Sequence, residues 1–196
     1  MKAFDKAVEI DPNYAQAYAA RCSIYGEWDQ YDKALKESDQ AIRLNPNLAW
    51  GFNCRGYAHT GLMNYKEALQ DFNQALVLAP KYVWVYCNRS WTYMRMNKYQ
   101  QAFEDANKAI ELAPNFSTAY FCRGRALAAL NNFQDAIKDF DKAIELNRTH
   151  SWSFFHRGQV FLKLDKTEKA VEDFKRAANL GNNDAQNYLK RKGIPW

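Results

Sequence analysis

The sequence predicts an all-α chain, a solenoid of 34-residue helix-turn-helix repeats, and three observations predict it. Pro12, Pro46, Pro80 and Pro114 stand 34 residues apart. Columns of like residues keep the same spacing: aromatic at Tyr18, Phe52, Tyr86, Tyr120 and Phe154, small at Cys22, Gly56, Ser90, Gly124 and Gly158, and alanine at Ala34, Ala68, Ala102, Ala136 and Ala170. Within each period the apolar residues fall at i, i+4 and i+7, the spacing of one helix face. A constant period of this length marks stacked helical units, each burying its apolar face on its neighbours.

Residues 1–14 open the chain with the second half of a repeat, since Phe4, Ala7 and Pro12 match Phe72, Ala75 and Pro80. A second helix without its first leaves apolar surface bare. Either the chain is cut from a longer protein, or a second copy covers that face and makes a homo-oligomer through the N-terminal end. Five full repeats follow, 15–48, 49–82, 83–116, 117–150 and 151–184.

The second of these sets the pattern. Helix A is expected from Leu48 to Gly61 and helix B from Tyr65 to Leu78. Phe52, Gly56 and His59 share one face of helix A, and Ala68, Phe72, Ala75 and Leu76 share one face of helix B. Glycine inside a helix costs about 1 kcal/mol against alanine, so its recurrence implies that a neighbouring helix presses close. Asp29, Asn97, Asn131 and Asp165 mark the turn between A and B, because these residue types tolerate the left-handed conformation. Met63 breaks that column, and Gly61 is expected to shift its turn by two residues. The proline after helix B biases the preceding residue out of the helical region. Arg148 and Asn182 replace it, which predicts less firmly stopped turns. Residues 185–196 form a capping helix and tail: Asn183–Lys192 reads as a last helix A, with Tyr188 and Arg191 in their columns and a polar free side.

Phe52, Arg55-Gly56, His59, Ala68, Phe72, Ala75 and Pro80, recurring at fixed spacing, resemble the tetratricopeptide repeat pattern. The resemblance runs from Met1 to about Asp184. It departs at one position, where the family's leucine before the glycine is an arginine in every repeat. The resemblance implies a right-handed superhelix of helix pairs, with helices A lining a concave surface, and a protein-protein interaction scaffold that binds a protein or peptide. A chaperone-tail clamp of that family needs Lys, Asn and Arg at set places. The best window here, Asn53 and Tyr57, Asn88, then Thr118 and Cys122, matches only at Asn88.

Composition narrows the function. The chain has 27 Lys and Arg against 22 Asp and Glu, a net charge of +5 that is dispersed apart from Lys190-Arg191-Lys192. That balance argues against a nucleic-acid surface. No apolar run is long enough to cross a membrane. The four cysteines fall in four successive repeats. Neighbouring helices pack about 8–10 Å apart and disulfides need closer Cα atoms, so free thiols and a cytoplasmic location are expected. No metal spacing, phosphate loop or nucleophile-base set appears, and the expectation is no enzyme, no cofactor and no metal.

Two sets of columns carry charge or aromatic groups. Arg21, Arg55, Arg89, Arg123, Arg157 and Arg191 lie on helices A, and Glu37, Asp71, Asp105, Asp139 and Asp173 lie on helices B. The matched acid in each repeat points to internal pairing, with Arg191 reaching back to Asp173; the alternative is a basic stripe for an acidic ligand. On the other side of helices A run Trp50, Asn53 and Tyr57, then Trp84, Asn88 and Trp91, then Phe121 and Arg125, then Trp152, Phe155, His156 and Gln159. The aromatic residues are expected to anchor a peptide in a groove. Asn53, Asn88, Arg125, His156 and Gln159 are expected to orient its polar groups. Two alternatives stand beside this: a self-assembly module whose stripe is filled by its own neighbours, and a reader of single-stranded RNA through base stacking.

Overall fold

The computed structural model describes residues 1–196 as twelve α helices without a strand. No helix is long and apolar enough to cross a membrane. The chain divides into two compact units, Met1–Met96 and Asn97–Trp196. The N-terminal unit holds α1 (Lys2–Ile10), the pair α2 (Ala15–Glu27) and α3 (Tyr31–Leu44), the pair α4 (Ala49–Gly61) and α5 (Tyr65–Leu78), and α6 (Val83–Arg95). The C-terminal unit holds α7 (Tyr99–Leu112), the pair α8 (Ser117–Ala129) and α9 (Phe133–Leu146), the pair α10 (Ser151–Lys163) and α11 (Thr167–Asn179), and α12 (Asn183–Arg191).

Helices A end alike. Asp29, Met63, Asn97, Asn131 and Asp165 all take φ between 55° and 64°, and the residue after each reverses the chain. The amides of Gln30, Asn64, Asn132 and Lys166 reach the carbonyls of Tyr25, His59, Leu127 and Phe161 at 2.9 Å, the long closure of a left-handed helix stop. Gly61 therefore does not shift its turn. Met63 adopts the left-handed conformation itself, at a cost of about 1 kcal/mol. Gly61 is needed for another reason: a Cβ there would lie 2.4 Å from the Tyr31 ring.

Helices B also end in register, at Leu44, Leu78, Leu112 and Leu146. Arg148 in place of proline does not move the stop, since Asn147 Oδ1 accepts from the Thr149 amide at 3.1 Å as Asn45 does from Asn47. At Asn182 the stop is rebuilt rather than weakened. Gly181 takes φ 85°, and Asn182 Oδ1 accepts from the Ala185 amide at 2.9 Å and caps α12.

In three of the four pairs the core is a helix-B phenylalanine seated on a helix-A glycine. Phe72, Phe140 and Phe174 are buried, and a Cβ on Gly56, Gly124 or Gly158 would come within 2.8, 2.9 and 2.8 Å of those rings. In the first pair both partners change together: Cys22 stands at the glycine position and Ser38 at the phenylalanine position, both buried. A larger residue on A is matched by a smaller one on B, as close packing requires. The last pair is closed by α12, whose Leu189 is buried and whose Tyr188 ring lies 4.4 Å from Phe174.

Candidate functional site

The arginine column pairs internally. Arg55 donates from Nε and Nη2 to the two oxygens of Asp71, at 2.9 and 2.7 Å. Arg123 does the same to Asp139 (2.7 and 2.7 Å), and Arg157 to Asp173 (2.8 and 2.6 Å). The remaining arm reaches 16 residues back to the preceding helix B: Arg55 to Asp39 at 2.9 Å, Arg89 to Asn73 at 2.6 Å, Arg123 to Asn107 at 2.8 Å, and Arg157 to Asp141. The Arg55, Arg123 and Arg157 guanidiniums thus tie helices 16 residues before and after them, a fork suited to two acceptors. Burial raises the Asp173 carboxyl above its ordinary range, and the Arg157 fork pulls against that shift. Arg191 does not reach Asp173, which Arg157 occupies. It is exposed, and Lys175 stands where earlier repeats place an acid or amide.

On the opposite face of helices A, the N-terminal unit contains a hollow of about 380 Å³. Trp50, Asn53, Tyr57, Trp84 and Asn88 all line it. Its floor is small and polar. Asn88 Nδ2 donates to Asn53 Oδ1 at 3.0 Å, and Trp50 Nε1 donates to Ser23 Oγ at 3.1 Å. Cys54 Sγ lies 3.0 Å from that hydroxyl, and Cys54 is a buried free thiol. Trp84 is 48% exposed at the rim. Trp91 does not line the hollow; it stacks on Tyr57 at 5.1 Å, and the Arg95 guanidinium lies 5.5 Å from its ring centroid. Burial raises the Tyr57 phenol, with Asp29 and Glu27 adding to the shift.

In the C-terminal unit the same face is filled. Phe121 packs against Phe140, His150 and His156, with ring centroids at 6.2, 4.8 and 5.5 Å. His156 stacks between Trp152 (5.9 Å) and Phe140 (6.3 Å), and its Nδ1 lies 2.9 Å from Gln159 Oε1. Burial among these rings, with Arg125 nearby, pushes the imidazole down to about 3, so it is neutral at pH 7. Arg125 lies over Phe121 at 5.7 Å. Phe155 does not serve as an exposed anchor: it is 9% exposed, in the core with Phe174 at 5.6 Å. Trp152, 45% exposed, is the accessible indole of this unit's helix-A face. Gln159 borders a separate hollow of about 380 Å³ with Tyr188 and Arg191. A larger depression, about 560 Å³, lies over the Arg157–Asp173 pair on the other side, where its central charges are already satisfied.

Comparison with protein families matches tetratricopeptide repeat models at residues 15–48, 83–116, 117–150 and 153–184. The chain belongs to the tetratricopeptide repeat family. Curated proteins give no significant match. Among solved structures, the tetratricopeptide repeat protein TTC0263 of Thermus thermophilus superposes with a TM-score of 0.82 at 17% identity, covering 91% of this chain and 97% of that one. A tetratricopeptide repeat protein from Parabacteroides merdae gives 0.80 at 24% identity, covering 95% and 74%. YrrB, described as a tetratricopeptide repeat protein with an unusual peptide-binding site, gives 0.60 at 23% identity, covering 96% and 98%.

Within this tetratricopeptide repeat chain, three residues of the N-terminal hollow escape a reading by columns: Ser23, Glu27 and Tyr82. Ser23 and Glu27 come from α2, the helix A before Trp50, and Tyr82 is the N-cap of α6. Their signal is present in the 34-residue register, since Glu27 occupies the place held by Gly61, Arg95, Ala129 and Lys163 in later repeats.

Proposed function

We propose that this tetratricopeptide repeat chain is a protein-interaction scaffold that holds a peptide segment of a partner in the hollow of its N-terminal unit. One observation carries the reading. Five of the six groove residues that the sequence places in that unit converge on one open hollow, with a half-exposed indole at its rim. A concave, largely apolar site with a few converging polar groups is the usual form of a binding site. The Asn53–Asn88 pair uses one donor and one acceptor on each other, so the carboxamides retain further capacity of the kind a peptide backbone satisfies. Trp50 and Trp84 supply the aromatic surface that dominates such contacts. YrrB, of the same fold, is described as having a peptide-binding site.

The test is selection of a displayed random dodecapeptide library on the full chain, repeated with Trp84→Ala plus Trp91→Ala. Wild type should enrich a peptide family whose affinity falls about 10-fold or more in the double variant. An absence of enrichment, or equal affinity for the double variant, overturns the reading.

A further inference from the structure

The N-terminal hollow has a charge character of its own. Its walls are four aromatic side chains, Trp50, Tyr57, Tyr82 and Trp84, and its one charged lining residue is Glu27; no Lys, Arg or His lines it. Aromatic faces and a carboxylate share one preference, a cation. The nearby Arg95 lies outside the lining, over the ring of Trp91.

The position of Glu27 makes the point independently. It is the last residue of α2, where the carbonyl end of the helix dipole favours cations and disfavours carboxylates. The same register position is Arg95 in α6 and Lys163 in α10, as the dipole prefers. Glu27 is exposed, and Asp29 follows it within two residues. Both carboxylates act on the phenol of Tyr57 inside the hollow. The acid thus stands where helix energetics oppose it and faces a site without a counter-ion among its lining residues.

We infer that the N-terminal hollow takes a basic side chain, arginine or lysine, from the bound peptide, with the cation between the aromatic walls and Glu27. The inference rests on the peptide-binding reading and names its chemistry. A volume of about 380 Å³ accommodates a long side chain together with part of its backbone. An acidic residue at the same place meets Glu27 and is excluded.

The same dodecapeptide selection tests it when run in parallel on wild type and Glu27→Gln. The glutamine keeps the size of Glu27 and relieves an unfavourable helix-end charge, so the variant folds as wild type does. Wild-type selection should enrich arginine or lysine at one position of the peptide, and selection on Glu27→Gln should lose that preference. For the strongest synthetic peptide, replacing the basic residue by norleucine should weaken binding about 10-fold or more by calorimetry, and Glu27→Gln should remove most of that difference. Separate peptides with arginine and with lysine at that position distinguish the two cations. If selected peptides bind but norleucine substitutes within about twofold, or Glu27→Gln keeps the full preference, the inference is overturned and the peptide-binding reading stands. If no peptide is enriched on wild type, both fall.

Discussion

The helix-A faces of the two units carry the same columns and end up as opposites. In the N-terminal unit, Asn53 and Cys54 stand under Trp50, and the space beside them is an open hollow. In the C-terminal unit the same columns carry Phe121 and Phe155 in place of Asn53, and Cys122 and His156 in place of Cys54. Phe121 and Phe155 both pack on His156 and close the surface. Aromatic content therefore does not make a binding face. What leaves a hollow is aromatic walls over small polar residues; aromatic residues two layers deep make a core.

The largest expected effect breaks the comparison directly. Phe155→Ala should cost about 3–5 kcal/mol, because it opens a cavity against Phe174. Trp84→Ala, removing a larger ring from the rim of the hollow, should change stability by about 1 kcal/mol or less. Urea denaturation of the two variants measures both. Equal losses would mean that Trp84 is packed as core and that the contrast between the units is not one of burial.

Much of the fold is legible in the sequence, and the reason is the repeat. A 34-residue period fixes helix ends closely: it predicts Leu48–Gly61 for a helix that runs Ala49–Gly61. The pairing of Arg55 with Asp71 is legible because a spacing of 16 recurs with complementary charge. Its second arm is equally present, in Asp5, Asp39, Asn73, Asn107 and Asp141, but two of the five are amides rather than acids, which hides the column from a search for charge. Depth is what a column does not encode. Phe155 and Trp152 belong to one helix, yet which ring is covered is settled by Phe174, on the helix that follows. Gly61 misleads for the same reason, since the ring it accommodates, Tyr31, comes from the preceding helix B.

A second prediction sharpens the contrast through pH. The His156 imidazole is pushed from 6.5 down to about 3 by burial. On acidification the unfolded chain takes up that proton first, so the stability held above pH 6.5 is lost as pH falls toward 3. Allowing for the part of the ring that remains accessible, the loss by about pH 4 should be about 2 kcal/mol. His156→Phe keeps a ring in the cluster and cannot titrate. The stability of wild type relative to this variant should therefore fall by that amount between about pH 7.5 and about pH 4, with His150 common to both. A difference that stays flat across the range would show that the imidazole is hydrated and that the C-terminal face is not closed.

The smallest effect concerns the first helix pair, where the arginine fork is imperfect. Arg21 donates once to Glu37, at 2.7 Å, and leaves Arg21 Nε and Glu37 Oε2 buried without a hydrogen bond; Asp5 Oδ1 is 3.6 Å from that Nε. Burial raises the Glu37 carboxyl despite the pull of Arg21. Asp71, Asp139 and Asp173 occupy the same register position, one methylene shorter, and accept both arms. Glu37→Asp should then complete the fork and raise stability by about 1 kcal/mol, since a buried unsatisfied polar atom costs at least that much. Urea midpoints of wild type and variant provide the check. A lower midpoint would carry its own meaning, because this is also the pair in which Cys22 and Ser38 replace glycine and phenylalanine. The longer acid would then be matched to a different spacing of α2 against α3, and the departure at residue 37 would follow from the departure at residues 22 and 38.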